Sequence, residues 1–286
     1  MSLMSSTNTA AVTDAIAETA RDVRGGLLSR RAKTDEENPS GEAQLAADVW
    51  ADDRFAEALT ELPAVGSYAS EERETAIDCG AGLSVAIDPL DGSSNLPTNN
   101  ACGTLFGIYD AELPAKGREL LAAGYVLYGP ATTMVVAEGG AATEYVITDD
   151  TVEELGPVEL PAEPTVYGFG GRRPEWTERF ADYVEYVEYE ARLKARYGGA
   201  LIGDVNQVLG HGGVFSYPAL ESAPDGKLRL QFEANPIAYV AECAGGASSD
   251  GDGSILDREP DMLHDRTPVH VGDADLIERF EGGESR

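Results

Sequence analysis

An apolar run with strand character, 83–87, leads directly into Asp88-Pro89-Leu90-Asp91-Gly92-Ser93-Ser94-Asn95. The pattern predicts a strand that ends on Asp88, a turn through Pro89, whose ring fixes the backbone, and a second carboxylate three residues later. Gly92 lets a ligand approach the main chain closely. Ser93, Ser94 and Asn95 are favoured at helix N-termini, where backbone N–H groups are unpaired and the helix end is positive. Asp-Pro or Asp-Gly alone marks no more than a turn. Together, two carboxylates beside a nest of N–H donors describe a site for a divalent cation and a phosphate. Ligands that are all oxygen favour Mg2+ or Mn2+ over zinc.

Around this string the chain reads as a succession of helices and short strands. Val12, Ile16, Ala20, Val23 and Leu27 recur at helical steps, which predicts a helix over 10–31. A polar loop is expected over 35–41, then a helix over 43–62 with Leu45, Val49, Phe55 and Leu59 on one side. Strands are expected at 83–87, 103–109, 124–128 and 133–137. The uncharged stretch 120–137 approaches membrane-spanning length, but Gly124 and Gly129-Pro130 divide it into strand, turn, strand. Acidic residues and prolines between 148 and 164 mark an expected boundary between two subdomains, 1–160 and 161–286. Beyond it, helices are expected over 174–189, 204–209 and 236–243, and strands over 214–217, 227–232 and 269–271. A glycine- and acid-rich loop follows Gly245-Gly246, and a helix ends the chain. The expected class is α/β (α+β).

Charge narrows the partners. Among 286 residues, 51 acids face 21 bases, a formal charge of −30, which excludes general affinity for nucleic acid or for an anionic membrane surface. Lysine is confined to Lys33, Lys116, Lys194 and Lys227. Such a surface suits concentrated salt, where the Debye length is roughly 3 Å and self-repulsion is screened. Cys79, Cys102 and Cys243 lie far apart with no CxxC pair, so neither a disulfide framework nor a zinc site is expected, and a reducing cytoplasm fits. Met1 to Val12 lacks the basic start and apolar run of a signal peptide. A soluble protein is expected.

The string Asp-Pro-Leu-Asp-Gly-Ser-Ser-Asn resembles the signature of class I fructose-1,6-bisphosphatases, within the wider superfamily of metal-dependent, lithium-sensitive sugar and inositol phosphatases. The resemblance continues through Gly103-Thr104-Leu105-Phe106-Gly107-Ile108-Tyr109 and Tyr128-Gly129-Pro130-Ala131-Thr132. It returns in Ala195-Arg196-Tyr197, in Gly212-Gly213-Val214-Phe215-Ser216-Tyr217-Pro218-Ala219, and from Lys227-Leu228-Arg229-Leu230 to Gly245-Gly246. The matching segments keep their order from about residue 38 to near the end. The resemblance implies a layered α/β/α/β/α sandwich with the metal site between two subdomains.

It also implies roles. Ser70-Glu71-Glu72 is similar to the family's Ser-Glu-Glu motif, with Glu71 as a metal ligand and Glu72 helping to deprotonate the attacking water. Glu233, read as the end of an apolar strand where an unpaired carboxylate is costly, matches the last metal ligand. With Asp88, Asp91 and the Leu90 carbonyl these imply a cluster for two or three Mg2+ ions, Mn2+ being a possible replacement. The stretch from Asn38-Pro39-Ser40-Gly41-Glu42 to Asp53 is similar to a mobile catalytic loop, with Asp48 in metal binding and Asp53 in water activation. Backbone N–H groups of Gly92, Ser93 and Ser94 are the expected phosphate contacts. Tyr197, Tyr217 and Lys227 match positions that bind the phosphate remote from the metals, and Arg196 matches one that reaches a neighbouring subunit's site. Where the family has Asn-Glu-Gly-Asn, this chain has Tyr167-Gly168-Phe169-Gly170-Gly171-Arg172-Arg173, so Arg172 or Arg173 takes the place of an asparagine contact. The Lys-Tyr pair that grips AMP in regulated members falls at Gly82-Leu83, and a companion arginine falls at Asp110, so no AMP inhibition of that kind is expected.

The expected activity is Mg2+-dependent removal of the 1-phosphate of fructose 1,6-bisphosphate, a gluconeogenic step, by a cytoplasmic homo-oligomer, a tetramer or dimer. The rivals are a sedoheptulose-1,7-bisphosphatase or an inositol-phosphatase-like activity on the same scaffold, and a non-catalytic sugar-phosphate-binding protein.

Overall fold

The structure, a computed structural model, describes residues 3–30, 33–37 and 43–282. The expected mobile segment over 38–42 lies outside the described residues. The first half runs α1 (Leu3–Leu27), β1 (Lys33–Glu37), β2 (Ala43–Leu45), α2 (Ala46–Thr60), β3 (Val65–Ser70), β4 (Ile77–Asp78), β5 (Leu83–Asp91), β6 (Cys102–Tyr109), β7 (Leu120–Tyr128), β8 (Thr132–Glu138), β9 (Ala141–Ile147) and β10 (Val152–Pro157). The second half runs β11 (Val166–Phe169), α3 (Glu178–Glu185), β12 (Lys194–Ala195), α4 (Leu201–His211), β13 (Gly213–Tyr217), β14 (Leu228–Arg229), α5 (Asn235–Cys243), β15 (Ala247–Ser249), β16 (Arg266–Thr267), β17 (Val269–Gly272) and α6 (Ala274–Gly282).

An eight-stranded sheet has the order β10-β9-β8-β7-β6-β5-β3-β4, and a five-stranded sheet the order β12-β11-β13-β17-β15. Strand β6 shows why helices must cover the larger sheet on both sides. All eight of its residues are buried, and its period of two sends Phe106 and Ile108 to one face, Leu105 and Tyr109 to the other. Phe106 and Ile108 join Val12, Ile16 and Val23 of α1 and Phe55 and Leu59 of α2. Leu105 and Tyr109 meet Val205 and Val208 of α4 and Ile237 and Val240 of α5, which also pack on Phe215 and Val271 of the smaller sheet. Phe180 and Val184 of α3 and Leu276 and Phe280 of α6 close that sheet's outer face. The layers are therefore α/β/α/β/α, as the resemblance implies.

Several boundaries differ from the sequence reading. Residues 35–37, expected in a loop, belong to β1, which pairs antiparallel with β2. This pairing is between backbones and leaves no hydrophobic period to read. Helix α2 starts at Ala46, because Leu45 is extended (φ −90°, ψ 156°). The helix expected over 174–189 is a short turn at Arg173–Glu175, then α3 capped by Thr177, then a wider turn at Tyr186–Glu190. The glycine-rich loop after Gly246 contains β15. Strand β5 does not end at Asp88 but runs on to Asp91. The strand expected over 227–232 is cut to Leu228–Arg229, and a five-residue π-helical turn, Leu230–Ala234, leads into α5. All five residues of that turn are buried, so no two-residue alternation exists there. Glu233 thus sits in a helical turn, not at a strand end.

Candidate active site

Pro89 has no N–H to give a ladder, and at this point β5 carries a bulge. Asp88 lies opposite Leu105 and Asp91 opposite Gly103, so three steps on β5 face two on β6. In a regular strand residues three apart point to opposite faces; the extra residue brings both carboxylates to one side. The bulge is pinned: Thr104 Oγ1 donates to the Pro89 carbonyl (2.9 Å) and also meets the Tyr128 hydroxyl (2.9 Å). Asp88 accepts the Leu90 N–H (2.9 Å). The next residue, Gly92, takes a left-handed conformation (φ +70°), and a Cβ there would fall 2.2 Å from the Ala200 Cβ. Glycine is required on both counts. Ser93 then opens a short 3-10 turn, Ser93–Thr98.

Two other elements bring carboxylates to the same place. The Glu71 N–H donates to the Ile87 carbonyl (3.0 Å), fixing the turn after β3 beside β5. The turn at 230–234 brings Glu233, whose Oε2 accepts the Arg229 N–H (2.5 Å). Carboxylate oxygens of Asp88, Asp91 and Glu233 lie within 4.8 Å of one another. Glu71 faces the guanidinium of Arg229, which is 1% exposed, at 3.3 Å. A cleft of about 280 Å³ opens here, lined also by Asp48, Glu72, Leu90, Gly92, Ser93 and Ser94 from the first half and by Tyr197, Asp204 and Tyr217 from the second.

Like charges removed from water raise one another's pKa. Burial, then Glu71, Asp91 and Glu233, pushes Asp88 well above the usual carboxylate range. Burial, then Glu71 and Asp91, does the same to Glu233. Asp91 is raised to about 7 by burial, against the Ile202 and Leu201 N–H groups, which it accepts at 2.8 and 3.3 Å. Asp48 is raised to about 6, again by burial, opposed by the Leu45 N–H (2.6 Å) and the Ser93 hydroxyl. Buried carboxylates converge here against one buried guanidinium, an arrangement that a divalent cation with oxygen ligands relieves. The donor set fits such an ion.

Of the residues singled out from sequence, Glu71, Glu72, Asp88, Leu90, Asp91, Glu233, Gly92, Ser93, Ser94, Asp48, Tyr197 and Tyr217 line this cleft. Asp53 does not: it is exposed on α2 and accepts from Arg73 (3.3 Å). Its neighbour Asp52 is buried, ion-paired with Arg73 (Nε at 2.7 Å) and accepting from the Tyr68 hydroxyl (2.9 Å). Arg73 follows Glu71 and Glu72, and its carbonyl accepts from His264 Nε2 (2.8 Å). Asp52 and Asp53 therefore brace the Glu71–Glu72 turn against α2. Lys227 is exposed outside the cleft lining, and Arg196 lies against Gln207 (2.9 Å). Arg172 and Arg173 are exposed and pair with Glu175 and Glu185, each at 3.9 Å.

Arg229, which falls within the matching run from Lys227 to Gly246, is the buried counter-charge of the acidic cluster, and Asp204 is a further buried acid of the cleft. Each had a signal, a charged residue within an apolar run: Leu228-Arg229-Leu230, and Leu201-Ile202-Gly203-Asp204-Val205.

Comparisons with known proteins identify the family and the fold. The family model described as "Fructose-1-6-bisphosphatase, N-terminal domain" matches residues 5–155, and its C-terminal counterpart matches 160–283. A protein of Natronomonas pharaonis named "Fructose-1,6-bisphosphatase class 1" is 58% identical over 274 residues, covering 94% of this chain and 96% of its own length. One of Halobacterium salinarum with the same name is 58% identical over 271 residues, covering 93% of this chain and 94% of its own. The crystal structure of Leishmania major fructose-1,6-bisphosphatase in holo form superposes with a TM-score of 0.92 at 27% identity, covering 98% of this chain and 95% of that one.

Proposed function

Because the chain belongs to the class 1 fructose-1,6-bisphosphatase family, metal-dependent phosphoric monoester hydrolases, we propose that it converts fructose 1,6-bisphosphate to fructose 6-phosphate and phosphate with Mg2+ in the carboxylate cleft. The observation that carries the reading is the convergence of Asp88, Asp91 and Glu233 beside Gly92–Ser94. With Glu71 and the Leu90 carbonyl they would hold two or three ions, which when bound would supply charge neutralisation for the phosphate and leaving oxygens.

The chain's own groups do the rest. Backbone N–H groups of Gly92, Ser93 and Ser94 hold the transferred phosphoryl group. Glu72 takes the proton of the attacking water, which comes in line with the leaving oxygen. Asp48, which lines the same cleft, serves as its partner; burial lifts its pKa to about 6, which makes its carboxylate a stronger base. Asp53 contributes through Arg73. Tyr197 and Tyr217 receive the sugar end, and Lys227, Arg172 and Arg173 extend that end with positive charge. Residues 1–160 supply the phosphate segment and most of the metal side, and 161–286 supply the sugar-phosphate side together with Glu233.

A homo-oligomer, tetramer or dimer, is part of this reading: Arg196, at the position that resembles one serving a neighbouring subunit, bonds Gln207 outside its own cleft lining. The charge of −30, the scarcity of lysine and the likeness to proteins of Natronomonas and Halobacterium support a halophilic, cytoplasmic, gluconeogenic enzyme. Among the described residues no helix is long and apolar enough to cross a membrane.

A phosphate-release panel of fructose 1,6-bisphosphate, sedoheptulose 1,7-bisphosphate and inositol monophosphate, with Mg2+, with Mn2+ and after chelation, at low and high KCl, tests this. The fructose compound should be the fastest, with release abolished by chelation. Preference for another member of the panel would reassign the substrate. Binding without release under every condition would leave a non-catalytic sugar-phosphate-binding protein.

A further inference from the structure

The Gly198 peptide is held by side chains on both sides. Its N–H donates to Asp204 Oδ1 (2.5 Å), and the following N–H, of Gly199, donates to Oδ2 (3.1 Å). Its carbonyl accepts from Asn95 Nδ2 and Asn100 Nδ2, each at 3.0 Å. Asn95 follows directly on Ser93 and Ser94, and its Nδ2 also donates to the Ala101 carbonyl (2.8 Å). Asp204 belongs to α4 and is 2% exposed, yet its side chain turns back from the helix to the preceding loop. A buried carboxylate is costly, and it is held here by two N–H donors that an amide side chain could not both satisfy, since asparagine offers one acceptor and one donor face. Tyr197, half-exposed at the cleft, is the residue immediately before this clamped peptide.

We propose that Asp204 is a positioning residue for substrate affinity: by clamping Gly198 and Gly199 it sets Tyr197 against the sugar end, and Asn95 and Asn100 tie that wall to the phosphate-binding segment. This rests on the reading of the cleft as a sugar-bisphosphate site. The predicted effect is on KM and passes through Tyr197, whereas a general structural defect lowers kcat and acts independently of it.

The experiment is a double-mutant cycle on the Mg2+-loaded enzyme with D204N, Y197A and the double variant. D204N should raise KM for fructose 1,6-bisphosphate about tenfold with kcat changed less than about threefold, and should add less than about twofold to KM in the Y197A background. Should D204N fail to fold, N100A removes one clamp bond from the other side and should raise KM about threefold, again not in the Y197A background. Effects that multiply across the cycle, or a fall in kcat at constant KM, would overturn the inference. An unmutated enzyme inactive on the whole substrate panel would instead overturn the reading it rests on.

Discussion

Removing the metal should make this protein less stable as pH rises, the reverse of the usual effect of carboxylates. The folded pKa of Asp91 is about 7, against 3.8 for the free side chain. Between those values the folded state binds more protons than the unfolded one, so stability falls with increasing pH. The full cost, reached above the folded pKa, is about 4 kcal/mol, at about 1.4 kcal/mol for each pH unit. Roughly 3 kcal/mol of it is lost between about pH 5 and about pH 8. With an unfolding entropy of about 2 cal/mol/K per residue, that is close to 5 °C in Tm for a chain of this length. Asp48 and Asp204, both raised to about 6 by burial, act in the same direction. Bound Mg2+ requires the ionised carboxylates, so its stabilisation grows over the same interval. The assay is thermal unfolding in chelator and in Mg2+ across this interval, in about 1 M KCl to screen the surface charge. A chelated Tm that is flat or rises with pH would refute the reasoning. So would an Asp91→Asn variant that keeps the full slope.

Other perturbations separate the parts of the site. Glu72→Gln should lose at least about a hundredfold in kcat while still binding substrate, since general-base catalysis contributes about 10²–10⁴; near-normal turnover would remove Glu72 from the mechanism. Asp48→Asn should cost kcat at least about tenfold, but Asp53→Asn less than about threefold because Asp52 still holds Arg73; steady-state kinetics of the pair would show it. Gly92→Ala forces a left-handed conformation costing about 1–2 kcal/mol and drives a Cβ into Ala200, so activity should fall at least about tenfold and Tm by several degrees. Titration with AMP at micromolar levels should leave activity unchanged, and potent saturable inhibition would overturn the reading of Gly82-Leu83 and Asp110.

The acidic half of the cleft is legible in the residues themselves, and the layers are legible through the resemblance those residues carry. Strands β5 to β8 announce themselves through β-rich runs separated by turns, and the Asp88–Asn95 string places two carboxylates and a phosphate segment within one turn. What escaped has physical causes. The bulge that turns Asp88 and Asp91 to one side depends on register against β6, a pairing that no local pattern encodes. Glu233 lies in a wholly buried turn with no polar face to set a period. Asp52 and Asp53 are adjacent, and only packing decides that one is buried under Tyr68 and the other reaches Arg73 from the surface. The basic residues divided in the same way, Arg229 inside and Arg172, Arg173 and Lys227 outside, because charge alone says nothing of depth.

Asp91 ends β5 yet accepts the first N–H groups of α4, more than a hundred residues later. On the ribosome the N-terminal sheet can therefore emerge whole while one of its carboxylates still waits for the helix that completes its environment, and Glu233 is later still. The nascent chain carries two of the three converging acids long before the third is synthesised. A cation that needs all three carboxylates would therefore find its site complete only after Glu233 has been synthesised, late in the assembly of the chain.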